Sequence, residues 1–352
     1  MTARLLQDFA SLEPLGWDDE RARELALIAA PKSAVGRVSR IDRRCCTVLT
    51  PTPVRAGYQG FHIATGDWVV MSPGPGSVGE QRVVGLLARR SAFLRRGAGA
   101  ATEAQVVAAN VDRALLVHAL DRELNPHALQ RYLALAWDSG ARPVVVLSKA
   151  DCRAPNELRH LVELAARVAG GAGVVTSSTV TGDGLQELRD QHLKPGLTVA
   201  LIGPSGAGKS SLVNALTESL AMPTGAVRSD GKGRHTTTHR ELLVVPGGGI
   251  LLDTPGMRSV GLWLQNDGLE VAFAEVERLA ADCKFRDCAH RTEPGCAVSA
   301  AVAAGTITSD RVLSWQKLKT ERAAVAAKRA QPGGRRKRGH SGKAGLCGPA
   351  HR

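Results

Sequence analysis

The chain alternates short apolar runs with polar, glycine-rich stretches, and the period of that alternation changes along its length. From about Ser33 to Arg96 the runs are brief: Arg37–Ser39, Thr47–Leu49, Trp68–Met71 and Arg82–Leu86. Turn residues such as Gly60, Gly66 and the Pro73–Gly79 stretch separate them. Short strands between turns predict a small β-barrel. Gly97–Thr102, mostly glycine and alanine, reads as a linker. After it come apolar strands at Ala114–Val117, Pro143–Leu147, Gly173–Thr176 and Leu197–Ile202. Amphipathic helices alternate with them. One opens at Asn125-Pro126, with Asn as N-cap and Pro at the first helical position, and another spans about Asn156 to Val168. Leu242–Val245 and Ile250–Leu252, joined through Pro246–Gly249, complete the set. Strands this uniformly apolar are covered on both faces, so the sheet is expected to be mainly parallel. Beyond Trp263 the strands stop; Leu269–Ala281 and Asp310–Ala330 have helical spacing, and Gln331–Arg352 has no apolar pattern.

The strand ending at Ile202 leads into Gly203, Pro204, Ser205, Gly206, Ala207, Gly208, Lys209 and Ser210, a P-loop sequence at every required position. A helical pattern begins at Ser211. Glycines let backbone N–H groups converge on phosphates, and the helix N-terminus adds favourable partial charge. Lys209 would reach the outer phosphates and Ser210 would help to hold Mg²⁺. Asp253-Thr-Pro-Gly256 ends the Ile250–Leu252 run. There Asp253 can hold Mg²⁺ through water and the Gly256 N–H can sense a γ-phosphate.

Ser148-Lys149-Ala150-Asp151 ends the Pro143–Leu147 strand. It is similar to the base-reading element of GTPases, with serine where asparagine is commoner. The Asp151 carboxylate can accept hydrogen bonds from N1–H and the exocyclic amine of guanine, a pair that adenine lacks. The stem of Lys149 would lie along the base, and Thr176-Ser177-Ser178 at the next strand tip is similar to the supporting element whose backbone meets guanine O6. An ordinary strand-end turn is the alternative for this tetrapeptide alone. Asp151 precedes Gly203, whereas an ordinary GTPase has the phosphate loop first. The order is therefore that of a circularly permuted GTPase, and the pocket can survive the rearrangement.

Seven cysteines and ten histidines are present. Cys283-x4-Cys288-x-His290-x5-Cys296 offers three thiolates and one imidazole, a set suited to structural Zn²⁺. Phe285 and nearby apolar helices are expected to shield it; buried thiols beside an unrelated histidine are the alternative. The net charge of +13 points to a polyanionic partner. Arg37, Arg40, Arg43, Arg44, Arg89, Arg90, Arg95 and Arg96 make the barrel segment basic, with Tyr58, Phe61, Trp68 and Phe93 interspersed. Either these residues hold RNA, or the aromatics fill a core beneath a solvated basic face. No apolar run approaches the roughly 20 residues of a membrane span, and Met-Thr-Ala-Arg does not open a secretory pattern. The cytoplasm is the expected location.

With Gly233-Arg234-His235-Thr236-Thr237-Thr238-His239 between the phosphate motifs, the chain resembles the bacterial ribosome-small-subunit-dependent GTPase A family, RsgA or YjeQ. The likeness runs from Leu15-Gly16-Trp17 through Gly66-Asp67-Trp68 and Ala109–Asp112 to Glu293-Pro294-Gly295-Cys296. It implies a multi-domain chain: an N-terminal extension and OB-like β-barrel over residues 1–100, and a circularly permuted α/β P-loop GTPase over 101–263. An α-helical zinc domain over 264–330 completes it; residues 331–352, with Arg335-Arg336-Lys337-Arg338 and no nearby acid, read from composition alone as a basic disordered tail. It also implies a monomer that hydrolyses GTP to GDP while assisting late maturation of the small ribosomal subunit, in contact with its rRNA. The subunit is expected to stimulate hydrolysis. By this resemblance Gly233–Thr238 is the first switch, Thr237 or Thr238 would complete the Mg²⁺ shell, and His235 is a candidate to assist the attacking water. Met257 occupies the place where many GTPases carry a water-orienting glutamine. An RNA-binding scaffold with structural nucleotide, and an adenine-nucleotide P-loop kinase, are the competing readings.

Overall fold

The computed structural model describes residues 9–28, 30, 33–74, 81–96, 104–218, 241–253 and 267–330. A 3-10 segment, Phe9–Leu15, and helix α1 (Asp19–Ile28) precede a barrel. Its strands are β1 (Ala34–Ile41), β2 (Cys45–Leu49), β3 (Val54–Gly57), β4 (Trp68–Pro73) and β5 (Gln81–Leu86). They close in the order β1-β2-β3-β5-β4, antiparallel except where β3 meets β5. Val38, Cys46, Val48, Ala56, Val69, Met71 and Val83 fill the interior. Alternation toward that interior is what the short runs encode. β3 escapes the sequence pattern because Val54 is its sole large apolar residue and Ala56 is its core residue.

Two of the aromatics considered for RNA belong to the core instead: Trp68 and Phe93 are 0% and 2% exposed. Arg37 is likewise buried rather than part of a solvated face. Tyr58 and Phe61 are partly buried against the barrel core. Strands β6 (Ala92–Arg96) and β7 (Ala104–Ala109) pair antiparallel, flanking the segment read as a linker, which lies outside the described residues.

The central sheet contains β8 (Arg113–Ala119), β9 (Arg142–Ser148), β10 (Gly173–Ser177), β11 (Thr198–Ile202), β12 (Glu241–Val244) and β13 (Ile250–Asp253). The helices between them are α2 (Pro126–Ser139), α3 (Pro155–Ala169), α4 (Leu185–His192) and α5 (Lys209–Thr217). The strand order is β10-β9-β8-β11-β13-β12, parallel except for the antiparallel edge β12. Successive side chains of β8 take opposite faces. Ala114 and Leu116 join a core with Leu129 and Leu133 of α2, while Leu115 and Val117 join one with Leu188 of α4 and Leu212 of α5. Both faces are therefore covered, as uniformly apolar strands require. Helix α2 starts as its sequence prescribes: Asn125 accepts from the Ala128 N–H at 3.0 Å, and Pro126 sits in the first turn.

Four helices follow: α6 (Gly268–Ala272), α7 (Ala274–Ala281), α8 (Ala297–Ala303) and α9 (Ser309–Ala330). The continuous helix expected over Leu269–Ala281 breaks at Phe273, whose φ of −125° leaves the helical region. Its buried ring lies beneath the Arg311 guanidinium, 4.6 Å away. Leu269, Phe273, Val276, Trp315 and Leu318 pack with Ala134 of α2, docking this unit on the sheet's helical layer. Among the described residues no helix is long and apolar enough to cross a membrane.

Candidate functional site

The carboxyl ends of β8, β9, β10, β11 and β13 share one edge of the sheet. Chain order runs outward from β8 through β9 to β10, then returns to β11 on the other side of β8. Such a switch point opens a crevice where open α/β sheets bind ligands. The loop Gly203–Gly208 leaves β11 at that point, and α5 begins at Lys209. A Cβ on Gly203 would stand 2.3 Å from the Val117 carbonyl of β8, so only glycine lets the loop leave the strand so close to its neighbour. Gly206 and Gly208 hold φ values of 78° and 83°, folding the loop back toward the helix. Lys209 arches over it, donating from Nζ to the Gly203 and Pro204 carbonyls at 2.7 and 2.6 Å. Ser210 and Ser211 lie in the first turn of α5.

Ser148 ends β9 buried, 6% exposed. Its hydroxyl donates to the Ala207 carbonyl at 2.8 Å, with the His118 carbonyl as a second acceptor at 3.2 Å. The tip of β9 is thereby tied to the phosphate loop. Lys149 adopts left-handed backbone, φ 58°, and its Nζ meets Asp121 Oδ2 at 2.5 Å. Burial works against ionisation of Asp121, but Lys149 and Arg122 hold its pKa below the ordinary carboxylate value. Arg153 braces the loop carrying Asp121 by donating to the Leu120 and Arg122 carbonyls at 2.6 and 3.2 Å.

Asp151 is exposed at the same edge and accepts a hydrogen bond from Ser178 Oγ at 2.5 Å. That hydroxyl also accepts from the Val180 and Thr181 N–H groups at 3.1 and 3.2 Å. Its single proton is thus committed to Asp151, fixing the carboxylate's orientation. Ser177, singled out from the sequence, is 1% exposed, and its hydroxyl has no partner among the described residues. The turn that presents Ser178 depends on Gly184, where a Cβ would stand 1.9 Å from the Thr176 carbonyl. The bond from Ser178 to Asp151 and the partner of Lys149, Asp121, are not legible in the sequence because each joins side chains distant in the chain.

Asp253 is the last residue of β13, beside β11. His235, Thr237, Gly256, Met257 and the 331–352 tail lie outside the described residues.

A second cluster lies beyond α7. The ligand atoms of Cys283, Cys288, His290 and Cys296 all fall within 4.8 Å of one another. Ligands about 2.3 Å from a tetrahedral ion stand about 3.8 Å apart. Cys283 Sγ is 3.9 Å from Cys296 Sγ and 3.4 Å from His290 Nδ1, and Cys296 Sγ is 3.7 Å from that nitrogen. The donor set therefore fits one tetrahedral metal ion. Glu293 shapes the knuckle by accepting from the Ala289, Arg291 and Thr292 N–H groups, bonds that lower its pKa to about 2. Trp315 lies against the His290 ring, with centroids 5.2 Å apart. Phe285, expected to shield the cluster, is 42% exposed under the Lys284 ammonium.

Comparison with known proteins agrees with this geometry. The model of the RsgA GTPase family matches residues 86–263. A Streptomyces coelicolor protein named small ribosomal subunit biogenesis GTPase RsgA is 44% identical over 330 residues, covering 91% of this chain and 88% of its own. This chain belongs to the RsgA GTPase family. It is accordingly a GTP hydrolase. The crystal structure of YjeQ from Thermotoga maritima is similar at a TM-score of 0.62 and 28% identity, covering 83% of this chain and 99% of that one. YloQ, described as a circularly permuted GTPase, shares the fold at a TM-score of 0.58 and 22% identity, over 83% and 96% of the two chains. The permuted order of the RsgA fold is visible here in β9 and Asp151 preceding β11 and Lys209.

Proposed function

We propose that this RsgA-family chain uses GTP hydrolysis to drive a late step in maturation of the small ribosomal subunit, the process for which its relatives are named. The observation that carries the reading is the Ser148–Ala207 hydrogen bond, which joins the base-reading turn to the phosphate loop at one sheet edge. Backbone N–H groups of residues 203–211 cradle the phosphates, and Lys209 leaves its loop carbonyls to engage the outer ones. Asp151, oriented by Ser178, selects guanine, with Lys149 along the base and Ser177 backing the strand tip. Ser210, Asp253 and Thr237 are the residues to hold Mg²⁺, which when bound neutralises charge on the phosphates. Gly256 senses the γ-phosphate. With Met257 where a glutamine would orient water, His235 or an element rearranged by the ribosome supplies the missing polar group.

The Cys283, Cys288, His290 and Cys296 cluster is assigned to one structural Zn²⁺; three thiolates and an imidazole leave no open position for chemistry. The barrel, the metal knuckle and the basic tail face rRNA, and the chain works as a cytoplasmic monomer. GTP turnover measured with and without purified small subunits tests the assignment. Turnover should rise with the subunits and resist competition by ATP, and the same preparation should carry one zinc per chain. Turnover indifferent to subunits would remove the ribosomal role and leave an uncoupled GTPase.

A further inference from the structure

At the opposite edge of the sheet, where β8 and β9 begin, a cavity of about 580 Å³ lies between the GTPase sheet, the N-terminal segment and the barrel. That volume suits a small ligand. Its floor holds two buried arginines. Arg37, 1% exposed, donates to the Gly66, Leu15 and Asn110 carbonyls at 3.2, 2.5 and 2.8 Å, and pairs with no carboxylate among the described residues. Arg21, 3% exposed, donates from Nη2 to Asn110 Oδ1 at 3.1 Å, while its Nε and Nη1 have no partner among the described residues. Both guanidinium groups lie over the same Trp68 ring, 5.5 and 5.7 Å from its centroid. An aromatic face moderates such burial, but it does not replace a counter-ion. Burial lowers the pKa of Arg21 to about 10 and that of Arg37 to about 9, although nearby carboxylates such as Asp112 act the other way on both.

The wall repeats the pattern. Arg113 and Arg142 are register partners on neighbouring parallel strands, so two like charges stand side by side on the cavity. Such pairs repel unless something sits between them. Arg113 contacts the ring nitrogen Nδ1 of His192 at 2.6 Å, and Arg142 is exposed with no side-chain partner among the described residues. The carboxylates on the cavity do not offset these charges fully. Asp18 is bound by Arg90 at 2.5 and 2.8 Å, Asp112 accepts from the Thr198 N–H at 2.7 Å, and Glu13 is exposed at the rim.

We propose that this cavity is a second ligand site for a phosphate-class dianion, inorganic phosphate or a phosphomonoester, seated between Arg113 and Arg142 above Arg21. A dianion brings two charges and several acceptor oxygens to converging guanidinium groups; a monocarboxylate would answer only one. The floor joins all three units: Trp68 and Gly66 from the barrel, Leu15 from the N-terminal segment and Asn110 from the approach to β8. The ligand therefore stiffens the seating of the barrel on the GTPase domain, at the sheet edge away from the phosphate loop.

Isothermal titration of the full chain, saturated with GDP and Mg²⁺ so that the phosphate loop is filled, tests this with two probes. Inorganic phosphate and ribose 5-phosphate are added separately against sodium chloride of equal ionic strength, and the tighter probe names the source. One saturating equivalent is expected. Arg142→Gln, at an exposed position that folding does not need, should weaken it about tenfold while GTP turnover stays unchanged. Arg21→Met should abolish the binding, and in chloride it should not lower the thermal midpoint, because it removes an uncompensated buried charge. The site is refuted if neither probe binds more than chloride does, or if Arg142→Gln binds the probes as tightly as the parent.

Discussion

The two edges of the central sheet are built by opposite means. At the carboxyl edge, backbone and short hydroxyl side chains do most of the work: Gly203 passes under the Val117 carbonyl, Ser148 grips the loop and Ser178 aims Asp151. Ser148 and Ser178 there are satisfied by groups on neighbouring strand tips and loops. At the amino edge, long cationic side chains from four separated segments, at Arg21, Arg37, Arg113 and Arg142, converge with too few partners. The first edge is organised before any ligand arrives, whereas the second carries charge that only a further group could balance. Preorganised dipoles cost no rearrangement at the moment of reaction, which suits the edge proposed for phosphoryl transfer.

The largest effect expected from perturbing this contrast is at Asp151. Asp151→Asn turns an acceptor of guanine's two donors into a mixed group, so affinity for GDP should fall about 100-fold or more. The asparagine amide can donate to the C2 carbonyl of xanthine, so the ratio of xanthine to guanine nucleotide affinity should rise by a larger factor. Competition binding with both nucleotides measures it. An unchanged ratio would mean that base reading happens elsewhere and that the carboxyl edge is less organised than its hydrogen bonds imply.

A smaller effect is expected at Gly203. Gly203→Ala places a methyl group 2.3 Å from the Val117 carbonyl, and backbone on both sides must yield. Overpacking of this kind costs about 1–3 kcal/mol. The urea midpoint should fall and GTP turnover with it, because the displaced loop no longer meets Lys209 as before. A variant with unaltered midpoint would show that the close passage of β11 and β8 is not required.

What could be read in advance follows from the same contrast. The Cys283–Cys296 cluster was legible because its four side chains are close in sequence and chemically specific, and the same closeness is what lets the phosphate loop and the Asp151 turn be proposed from sequence. The parallel sheet was legible because strands such as Val144–Leu147 lack polar alternation. Strand β3 was hidden by its small core residue, Ala56, and the break in the predicted Leu269–Ala281 helix by tertiary packing at Phe273. Trp68 takes the core alternative that its sequence left open, whereas Arg37 fits neither reading, because composition cannot distinguish a solvated basic face from an arginine folded over a core indole. The Ser178–Asp151 bond, Asp121 and the arginine cavity were beyond reach, since each exists only through contacts between distant segments.

The mildest test concerns His192, which closes the amino edge behind Arg113. The ring is 7% exposed, its Nδ1 accepts from Arg113 Nη1, and Nε2 has no partner among the described residues. Burial, reinforced by Arg113 and Lys194, lowers its pKa from 6.5 to about 4. The unfolded chain therefore takes up this proton before the folded one does. The contribution of neutral His192 is fully present above about pH 6.5 and is lost as pH falls toward 4. Urea midpoints across that window should decline for the parent and decline less for His192→Gln, whose amide oxygen can still accept from Arg113 without titrating. Parallel slopes would mean that His192 opens to solvent, and that Arg113 lacks the uncharged neighbour that leaves its own charge facing the cavity.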